Sequence, residues 1–395
     1  MQTAGAIRVL RVITRLNIGG PSIQAIALSD RLAPRGFETR LVHGQLGAGE
    51  GDMQYLLAPA VRTQSLASLR RPVAPLHDLV AFARLLDIMR DFRPHIVHTH
   101  MAKAGTIARA AAAFFNRTAG RGERARVVHT YHGHVLEGYF GSRTAKIFTG
   151  AERQLAKLTD AIVAISPQIR NELLADFHIG RAEQYRVIPL GFDLTALAAI
   201  DDDARRDARA ALGIPAGARI VSTVGRLTAI KQHDLFLDAA ALVAQRDPHA
   251  HFLVVGDGEL RANLEQAAAR LGLTTRVRFL GWRRDLTTIY AATDVFLLTS
   301  RNEGTPVALI ESLAAGVPGV STDVGGVRDV IDSDAAGLLA PAGDARALAD
   351  HALALLANPE RRRRMGQSGR RSVTARYTLD RLVGDVDTLY RELLH

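Results

Sequence analysis

Short runs rich in valine and isoleucine alternate along the chain with longer segments in which alanine, leucine and arginine recur at helical spacing. A short apolar run bounded by turn residues is typical of a buried strand, and a longer periodic segment is typical of a helix. Strands that are separated by helices pair in parallel, because a parallel pair needs a crossover connection. The pattern therefore predicts an α/β fold in which doubly wound parallel sheets are covered by helices on both faces.

This alternation occurs twice, in two blocks of similar length. A chain of 395 residues is long enough for two domains of about 150 residues each. Between the blocks, residues 186–217 carry a polar run flanked by glycine and proline, which is typical of a linker. We predict a first domain over 1–186, a second over 187–377, and an amphipathic helix over 378–395 that packs back on the first domain. The predicted strands are 7–14, 38–43, 95–99, 126–131 and 161–165 in the first block, and 219–224, 251–255, 276–280, 294–299 and 318–322 in the second.

The chain has no cysteine. This excludes disulfides, thiolate metal sites and thiol nucleophiles, and it suits a reducing compartment. No apolar run approaches the ~18 residues of a membrane span, and the N-terminal run has arginines within it, which predicts a strand rather than a signal peptide. We expect a cytoplasmic protein without a membrane-spanning helix.

All of the excess positive charge, ten in total, falls in residues 1–200. Such a field attracts polyanions or an anionic membrane surface, although an arginine-rich surface without a partner is an open alternative. The segment 143–158 is predicted to be a helix with one apolar face and basic residues beside it, which favours contact with anionic lipid on the inner face of the cytoplasmic membrane. The alternative is an ordinary helix that faces the core. Its apolar residues are Ile147, Ala151, Leu155 and Leu158, its basic residues are Arg143, Lys146, Arg153 and Lys157, and the segment 117–126 adds Arg117, Arg121, Arg124 and Arg126.

A glycine turn follows the first predicted strand directly. Gly19 and Gly20 allow the backbone to approach a ligand closely, and Pro21 is well suited to the first position of a helix. The N–H groups of that helix terminus would favour an anion. An ordinary strand-to-helix turn is the alternative.

Two cations follow the first strand of the second block. Arg226 comes directly after the strand, and Lys231 lies five residues later, near the start of the next helix. A guanidinium and an ammonium group that reach the same point suit a diphosphate. Charged residues are also common at strand ends on surfaces, so this pair alone is a weak signal.

The most specific signal is the segment 303–311, with the sequence EGTPVALIE. Gly304 and Pro306 open a helix whose N–H groups can bind phosphate. Glu303 and Glu311 can accept hydrogen bonds from sugar hydroxyls. One ligand with a diphosphate between two polyols would satisfy every one of these groups.

Over nearly its whole length the chain resembles the retaining glycosyltransferases of family 4, also called group 1, which have the GT-B fold. The resemblance implies two Rossmann-like doubly wound domains with an interdomain cleft, the first on the acceptor side and the second binding the nucleotide sugar. The motifs that carry it are the glycine turn at 19–20, HTH at 98–100, HTYHGH at 129–134, AISPQIRNELL at 164–174, VIPLGFD at 187–193, VGRLTAIKQHD at 224–234, FLVVGDGELR at 252–261, FLGWRRDL at 279–286 and EGTPVALIE at 303–311.

The resemblance also implies roles for individual residues. Arg226 and Lys231 would hold the diphosphate and stabilise the leaving group. Glu311 would bind the ribose hydroxyls, Glu303 would contact hydroxyls of the donor sugar, and His132 would lie against that sugar near the reacting carbon. The other donor-binding positions are Gly19, Gly20, Trp282, Arg283, Gly304, Thr305, Pro306 and Val307.

We expect neither a metal ion nor another cofactor. Three Asp-x-Asp pairs, at 201–203, 332–334 and 385–387, match the spacing of metal-dependent glycosyltransferases, but none lies at a strand end that faces the predicted cleft. A histidine cluster follows two strands of the first domain, yet zinc sites usually add a carboxylate or thiolate at tight spacing. Its members are His98, His100, His129, His132 and His134.

The sequence thus predicts an enzyme that transfers a sugar from a nucleotide sugar, with UDP favoured, to a glycan or lipid-linked acceptor in cell-envelope synthesis. A UDP-sugar 2-epimerase of the same fold is an alternative that needs no acceptor. A basic nucleic-acid-binding protein is a second alternative, but the chain lacks the aromatic series on which bases stack. Gly256-Asp257-Gly258 is similar to a dinucleotide fingerprint, but Arg261 stands where the third glycine belongs.

Overall fold

The computed structural model describes residues 5–47, 50–120, 122–133 and 142–395, without the side chains of 142–145. Arg121, His134 and the side chain of Arg143 therefore lie outside the described residues. The chain divides into two compact units. Unit 1 comprises Met1–Phe192 together with Leu379–His395, and unit 2 comprises Asp193–Thr378.

Unit 1 is built on a seven-stranded parallel sheet with the order β3-β2-β1-β4-β5-β6-β7. The order reverses between β1 and β4, which makes this point the topological switch of the sheet. The central strands are buried on both faces, as their continuous valine and isoleucine runs predict. The strands are β1 (Ile7–Ile13), β2 (Phe37–His43), β3 (Arg62–Ser65), β4 (Ile96–His100), β5 (Arg126–Tyr131), β6 (Ala161–Ala164) and β7 (Tyr185–Val187).

Helices cover both faces of this sheet. On one face Leu10 and Val12 of β1 pack with the second and third helices, and on the other Val9 packs with the first helix and the last helix of the chain. Alternate residues of one strand therefore build two separate cores. The helices of unit 1 are α1 (Gly20–Arg31), α2 (Pro75–Phe92), α3 (Ala102–Thr118), α4 (Ser142–Ala156) and α5 (Pro167–Asn171), with a π-helical turn at Glu172–Asp176.

The last helix, α14 (Leu379–Leu394), belongs to unit 1 although unit 2 precedes it in the chain. Its apolar stripe, which includes Leu382, Val386 and Leu389, is buried against the sheet. The Leu379 N–H donates to the Phe192 carbonyl, and the Arg381 guanidinium donates to the carbonyls of Pro189 and Leu190. Apolar burial and these hydrogen bonds together fix the helix on unit 1.

Unit 2 has a six-stranded parallel sheet with the order β10-β9-β8-β11-β12-β13 and a switch point between β8 and β11. Its core lies between the sheet and the helices that follow β8, β9 and β13. The strands are β8 (Arg219–Val224), β9 (Ala250–Val255), β10 (Val277–Gly281), β11 (Val295–Leu298), β12 (Gly319–Thr322) and β13 (Gly337–Ala340). The helices are α6 (Thr195–Ala198), α7 (Asp202–Ala211), α8 (His233–Arg246), α9 (Arg261–Arg270), α10 (Leu286–Ala292), α11 (Val307–Ala314), α12 (Ala345–Leu356) and α13 (Pro359–Arg376).

The two sheets confirm the predicted α/β class, and the structure adds three strands that the sequence did not indicate. All four residues of β3 are exposed and polar, so this edge strand has no apolar run. β7 has only three residues, and β13 has four. β7 and β13 are too short for an alternating pattern, so their backbone pairing with a neighbouring strand defines them.

No helix among the described residues combines the length and the apolar character that crossing a bilayer requires. The helix α4 divides its apolar residues between core and solvent. Leu155 is buried, whereas Ile147 is largely exposed. Arg153 donates to the Phe177 carbonyl, which anchors the C-terminal end of α4.

A buried ion pair joins α3 and α4. Arg109 is fully buried, and its guanidinium donates to Glu152 Oε2 over 2.6 Å. The Tyr131 hydroxyl donates to the same oxygen over 2.5 Å. A buried charge that loses its partner is costly, because water cannot replace the lost interaction.

We therefore predict that Glu152→Gln lowers the free energy of unfolding by about 3–5 kcal/mol. Chemical denaturation followed by circular dichroism measures this difference. Glu183→Gln is the matched control, because the Arg181–Glu183 pair is about four-fifths exposed, and it should change stability by less than about 0.5 kcal/mol. Equal effects of the two substitutions would contradict the role given to the buried pair.

Candidate active site

The loops that follow β8, β9, β10 and β11 all leave the same edge of the unit 2 sheet. Parallel strands place every carboxyl end at one edge, and ligands of such sheets bind there. Arg226 and Lys231 follow β8, Trp282 follows β10, and Glu303 follows β11. The order of the strands thus brings the sequence-predicted residues of the second block to a common edge.

Lys231 and Glu303 are in direct contact. The Lys231 ammonium donates to Glu303 Oε1 over 2.6 Å, and the Ser300 hydroxyl donates to the same oxygen over 2.6 Å. Glu303 is only 7% exposed, while Lys231 is half-buried. The pair forms a preorganised group in which the ammonium retains an accessible side. Sequence reasoning missed Ser300, because a lone serine at a strand end has no distinctive pattern.

The backbone of the Lys231 segment is held by β11 and the loop that follows it. The Thr299 hydroxyl lies 3.1 Å from the Lys231 carbonyl and 2.9 Å from the Gln232 carbonyl. The Arg301 N–H donates to the Ile230 carbonyl. Gln232 has a φ of +45°, in the left-handed region, so these bonds hold a turn that a non-glycine residue rarely adopts. Thr299 was also missed by sequence reasoning.

Arg226 is exposed and has no hydrogen-bond or ion-pair partner for its guanidinium among the residues that the structure describes. Its loop rests on the Gly256-Asp257-Gly258 turn. A methyl group at Gly256 would lie 1.9 Å from the Gly225 carbonyl oxygen, and one at Gly258 would lie 2.5 Å from that of Leu227. These glycines therefore permit close packing beneath Arg226, which explains the fingerprint-like sequence without a dinucleotide.

The segment from Gly304 to Pro306 leads into α11. It is fixed from below by the Gly326 N–H, which donates to the Glu303 carbonyl over 2.8 Å. Gly304 is exposed, Thr305 is half-buried, and Pro306 is buried at the N-cap. Because α11 begins at Val307, the N–H groups of its first turn point back towards this segment, where they can bind an anion.

Glu311 lies in the second turn of α11, beside Tyr290. The Tyr290 hydroxyl is 2.9 Å from Glu311 Oε2 and 3.1 Å from the Ala308 carbonyl oxygen. Burial raises the pKa of Glu311 to about 7, against the Tyr290 hydrogen bond, which lowers it. Near neutral pH the carboxyl can therefore either accept or donate a hydrogen bond. Tyr290 was not predicted, because it lies on α10 and meets Glu311 only in the folded unit.

Trp282 and Arg283 directly follow β10. Trp282 is 50% exposed. The Arg283 Nε–H donates to Asp285 Oδ1 over 2.7 Å, so this guanidinium has a carboxylate partner of its own. The Trp282 indole is thus accessible, and the Arg283 side chain is bound to Asp285. The predicted contact between the backbone of this segment and the base of the nucleotide stays a prediction.

In unit 1, Gly19 is the N-cap of α1 and Gly20 is its first residue. Gly19 has a φ of +151°, and a methyl group at Gly20 would lie 2.7 Å from Leu190 Cδ1. Pro21 stands within the first turn of α1. The backbone conformation at Gly19 therefore favours glycine, whereas a side chain at Gly20 would have to displace the end of Leu190.

His132 follows β5 in unit 1 and belongs to a histidine cluster that extends into the sheet. His132 Nε2 lies 3.0 Å from His100 Nδ1. Burial lowers the pKa of His132 to about 3 and the pKa values of His98, His100 and His129 well below the ordinary value. Arg11 of β1 contacts both His98 and His100. Sequence reasoning missed Arg11, although an arginine in the middle of a valine- and isoleucine-rich strand was a visible signal.

No group of three or more histidine, aspartate or glutamate side chains is arranged to hold a metal ion in the described parts of the chain. The Asp-x-Asp pairs make structural contacts instead. Asp201 caps α7, Asp332 and Asp385 pair with arginines, and Asp387 bonds both Arg391 and Arg35.

Two cavities of about 350 and 800 Å³ in unit 2 lie away from these loops. Both are lined by Asp294 and by arginines that include Arg205 and Arg362. Asp294 precedes β11, so the cavities lie at the amino ends of the strands. They contain none of the predicted site residues.

Comparison with known families and structures agrees with this geometry. The family model described as "Glycosyl transferases group 1" matches residues 204–372, and the one described as "Glycosyltransferase Family 4" matches residues 18–196. The chain belongs to the group 1 glycosyltransferases of family 4. The family resemblance of the sequence motifs is thereby confirmed, and this protein is a glycosyltransferase.

Two curated relatives illustrate the range of the family. This glycosyltransferase is 28% identical over 298 residues, 74% of each chain, to UDP-Gal:alpha-D-GlcNAc-diphosphoundecaprenol alpha-1,3-galactosyltransferase of Escherichia coli. It is 26% identical over 390 residues to N-acetyl-alpha-D-glucosaminyl L-malate synthase of Bacillus anthracis, which covers 96% of this chain and 95% of the relative.

Solved structures share the fold of this glycosyltransferase. Anabaena Alr3699/HepE, in complex with UDP and glucose, has a TM-score of 0.81 at 22% identity, covering 98% of this chain and 100% of that one. A glycosyltransferase from Rickettsia africae has a TM-score of 0.81 at 18% identity, covering 99% of both chains. These similarities confirm the predicted fold class, two Rossmann-like units of the GT-B type.

The buried histidines predict that unit 1 loses stability below about pH 6.5. Their pKa values are lowered from 6.5 in the folded protein. Below that pH the unfolded chain binds protons that the folded chain does not. The stability is therefore complete above the unfolded pKa and is lost as the pH falls. Each buried histidine lowers the free energy of unfolding by up to about 1.4 kcal/mol for every pH unit below the unfolded pKa.

Urea denaturation at pH 6.5 and pH 5.5 measures this dependence. His129→Gln should reduce the slope of the free energy of unfolding against pH by the equivalent of up to one proton, because it removes one buried imidazole. His77→Gln, at an exposed position on α2, should leave it unchanged. A wild-type stability that does not change between these pH values would show that the cluster takes up protons in the folded state.

Proposed function

We propose that this glycosyltransferase uses a nucleotide diphosphate sugar, preferably a UDP-sugar, and transfers the sugar with retention of configuration and without a metal ion. The observation that carries the proposal is the set of groups at one sheet edge of unit 2. Exposed Arg226, the Lys231–Glu303 pair and the start of α11 lie on loops that leave this edge, and Glu311 follows one turn later. Cations, helix N–H groups and carboxyls are the partners that a diphosphate between two polyols needs.

The cations support a role in leaving-group stabilisation. Negative charge grows on the diphosphate as the bond to the sugar breaks, and preorganised donors aimed at that charge lower the barrier. Arg226 has no competing carboxylate among the described residues, and Lys231 is held in place by Glu303 and by Thr299 through its backbone. Protein cations would thus take the place that a divalent ion has in other transferases.

The carboxyls support recognition of the two sugars. Glu311 would accept or donate to the ribose hydroxyls, with Tyr290 fixing its orientation. Both contacts of Glu303 use Oε1, so Oε2 is the oxygen that would meet a hydroxyl of the donor sugar. The predicted donor-binding backbone at Gly304, Thr305, Pro306 and Val307 lies between these two carboxyls in the sequence.

The printed names of the relatives support the choice of donor and acceptor classes. The Escherichia coli relative is named for UDP-galactose and for a diphosphoundecaprenol-linked acceptor, and the Anabaena structure holds UDP. We propose a glycan or lipid-linked acceptor in polysaccharide or glycolipid synthesis. Retention would follow from attack on the same face, with the departing phosphate helping to deprotonate the acceptor, and His132 would lie against the donor sugar.

Transfer assays with UDP-sugars and a lipid-diphosphate-linked acceptor test the reaction itself. The proposal expects a product whose anomeric configuration equals that of the donor, and full activity after treatment with a chelator. Loss of activity on chelation would overturn the metal-free part, and inversion would overturn the retaining part. Formation of an isomerised UDP-sugar without an acceptor would favour the epimerase instead.

Nucleotide binding should depend on Lys231 and Glu311 but not on His132. By calorimetry, Lys231→Gln and Glu311→Gln should each weaken UDP binding by about tenfold or more, since each removes a charge-assisted hydrogen bond. His132→Ala should keep the affinity and lose about a hundredfold in turnover. Glu265→Gln, at an exposed position on α9, is the control that should bind UDP normally. Unchanged affinity in both site variants would refute the site.

We further propose that unit 1 contacts an anionic membrane surface from the cytoplasmic side. The first two turns of α2 and the residues before them form an exposed apolar group, the α2 apolar patch, in which Leu76 is 80% exposed. Apolar side chains that are ringed by cations suit the boundary between lipid headgroups and acyl chains. The patch comprises Val73, Leu76, Leu79 and Val80, and the exposed arginines near it in the sequence are Arg70, Arg71 and Arg84.

Co-sedimentation with vesicles of anionic lipid at moderate salt tests this surface. The wild-type protein should bind anionic vesicles and not vesicles of neutral lipid, because each basic residue near an anionic surface contributes about 1 kcal/mol. The double substitution Leu76→Asp and Leu79→Asp should abolish binding. Leu271→Asp, at a partly exposed apolar position of unit 2, should not. Absence of wild-type binding would refute the proposal.

A further inference from the structure

Arg11 is fully buried in the middle of β1 and makes no ion pair with a carboxylate among the described residues. Its guanidinium instead meets three neutral groups. One terminal nitrogen lies 3.1 Å from His98 Nδ1 and 3.2 Å from His100 Nε2, and the other terminal nitrogen donates to the Tyr390 hydroxyl over 3.1 Å. The Nε–H group has no hydrogen-bond partner among the described residues. A buried charge of this kind is expensive unless the surrounding groups all act as acceptors. The arrangement therefore constrains where the protons of the histidine cluster can be.

A guanidinium in a protein has donors only and stays charged. His98 Nδ1 and His100 Nε2, which face it, must therefore be unprotonated acceptors. The Tyr390 hydroxyl, 2.6 Å from His98 Nδ1, is a second donor that shares the single lone pair of this nitrogen with Arg11. The single proton of His98 then lies on Nε2 and is donated to Thr130 Oγ1 over 2.7 Å. Every contact of His98 agrees with this one tautomer.

The position of the His100 proton in turn determines the position of the His132 proton. Because His100 Nε2 accepts from Arg11, its proton lies on Nδ1, which is 3.0 Å from His132 Nε2. His132 Nε2 is consequently an acceptor. A proton on that nitrogen would point at the His100 N–H, and protonation of both His132 nitrogens would add a second buried charge near Arg11. A neutral imidazole has one N–H, so the His132 proton must lie on Nδ1.

His132 Nδ1 is buried and has no hydrogen-bond partner among the described residues. A buried donor without a partner costs about 1–3 kcal/mol, and a ligand oxygen that reaches it would remove that cost. His132 is also the residue of unit 1 that stands at the carboxyl end of β5, where ligands of a parallel sheet bind. The free N–H is therefore presented at the edge where a substrate would lie.

We propose that Arg11 is a positioning residue that fixes His132 as the Nδ1–H tautomer through His100, so that His132 donates a hydrogen bond to a substrate sugar oxygen and does not take a proton from it. The part that concerns the sugar rests on the proposed function. The tautomer itself follows from the contacts of Arg11, His98 and His100 alone. Tyr390 of α14 also contacts Arg11, because its hydroxyl accepts a hydrogen bond from the second terminal nitrogen of the guanidinium.

The tautomer is measured directly on the wild-type protein by histidine-selective ¹⁵N labelling and long-range proton–nitrogen correlation without substrate. The expected result is a proton on Nδ1 of His132 and His100 and on Nε2 of His98 at pH 7. The Arg11→Met variant should lose this fixed pattern, and the Arg11→Lys variant should retain more of it because it keeps a buried cation. A wild-type His132 that carries its proton on Nε2 would overturn the proposal, whether or not the variants fold.

Two substitutions of His132 separate donation from proton acceptance. The amide nitrogen of Asn can occupy the place of Nδ1 and donate, whereas that of Gln reaches the place of Nε2. His132→Asn should keep turnover within about tenfold of the wild type, and His132→Gln should lose about a hundredfold, as the loss of one preorganised donor does. Equal loss in both, or better activity in the Gln variant, would overturn the donor role.

The outcomes distinguish this inference from the proposed function. If no sugar nucleotide supports transfer but the nitrogen spectra show the expected tautomers, the proposed function fails and the part of the inference that concerns Arg11 stands. If transfer occurs and the spectra show the opposite tautomer, the inference fails and the proposed function stands. UDP affinity in the His132 variants should equal that of the wild type, since this contact is not made by the nucleotide.

Discussion

Parallel strand pairing is the constraint on which every other feature of this protein depends. It directs all of the strands of a sheet the same way, so that loops far apart in the sequence leave from one edge. In unit 2 this brings the turn after β8, with Arg226 and Lys231, beside the loop after β11, with Ser300 and Glu303. The helices contribute too, because α11 starts where the second loop ends. The chemistry of the edge is thus a consequence of topology, supported by positive φ values at Gln232 and at Gly256.

Much of this could be predicted from the sequence because the informative signals are local. The apolar runs of the buried strands indicate the sheets. The glycine and proline positions of the 303–311 segment indicate the start of a helix. The family could be inferred from the ordered motifs, each of which is short and contiguous. The strand β3 could not be predicted, since its four exposed polar residues pair with β2 only through the backbone. In the buried strands the apolar pattern of the sequence coincides with burial, whereas β3 has neither an apolar pattern nor buried residues.

The parts of the site that the sequence did not indicate are made by residues distant in the chain. Tyr290 orients Glu311 from another helix, and Thr299 fixes the Lys231 segment through two carbonyls. Arg11 and Tyr390 meet across 379 positions. Apart from Arg11, whose place in an apolar strand was a visible signal, such partners carry no pattern of their own, because a single polar residue becomes meaningful only when its neighbour in space is known. The exposed or buried state of Arg226 and Glu303 likewise depends on packing and not on their motif.

The discontinuity of unit 1 has a consequence for the synthesis of the protein. β1 leaves the ribosome before unit 2, whereas α14, which covers part of one face of its sheet, is translated after all of unit 2. Domains generally fold as they emerge, so the part of this face that α14 covers stays exposed while unit 2 is made. Apolar surface that is exposed during folding favours aggregation, and the rate of translation through unit 2 determines how long this exposure lasts.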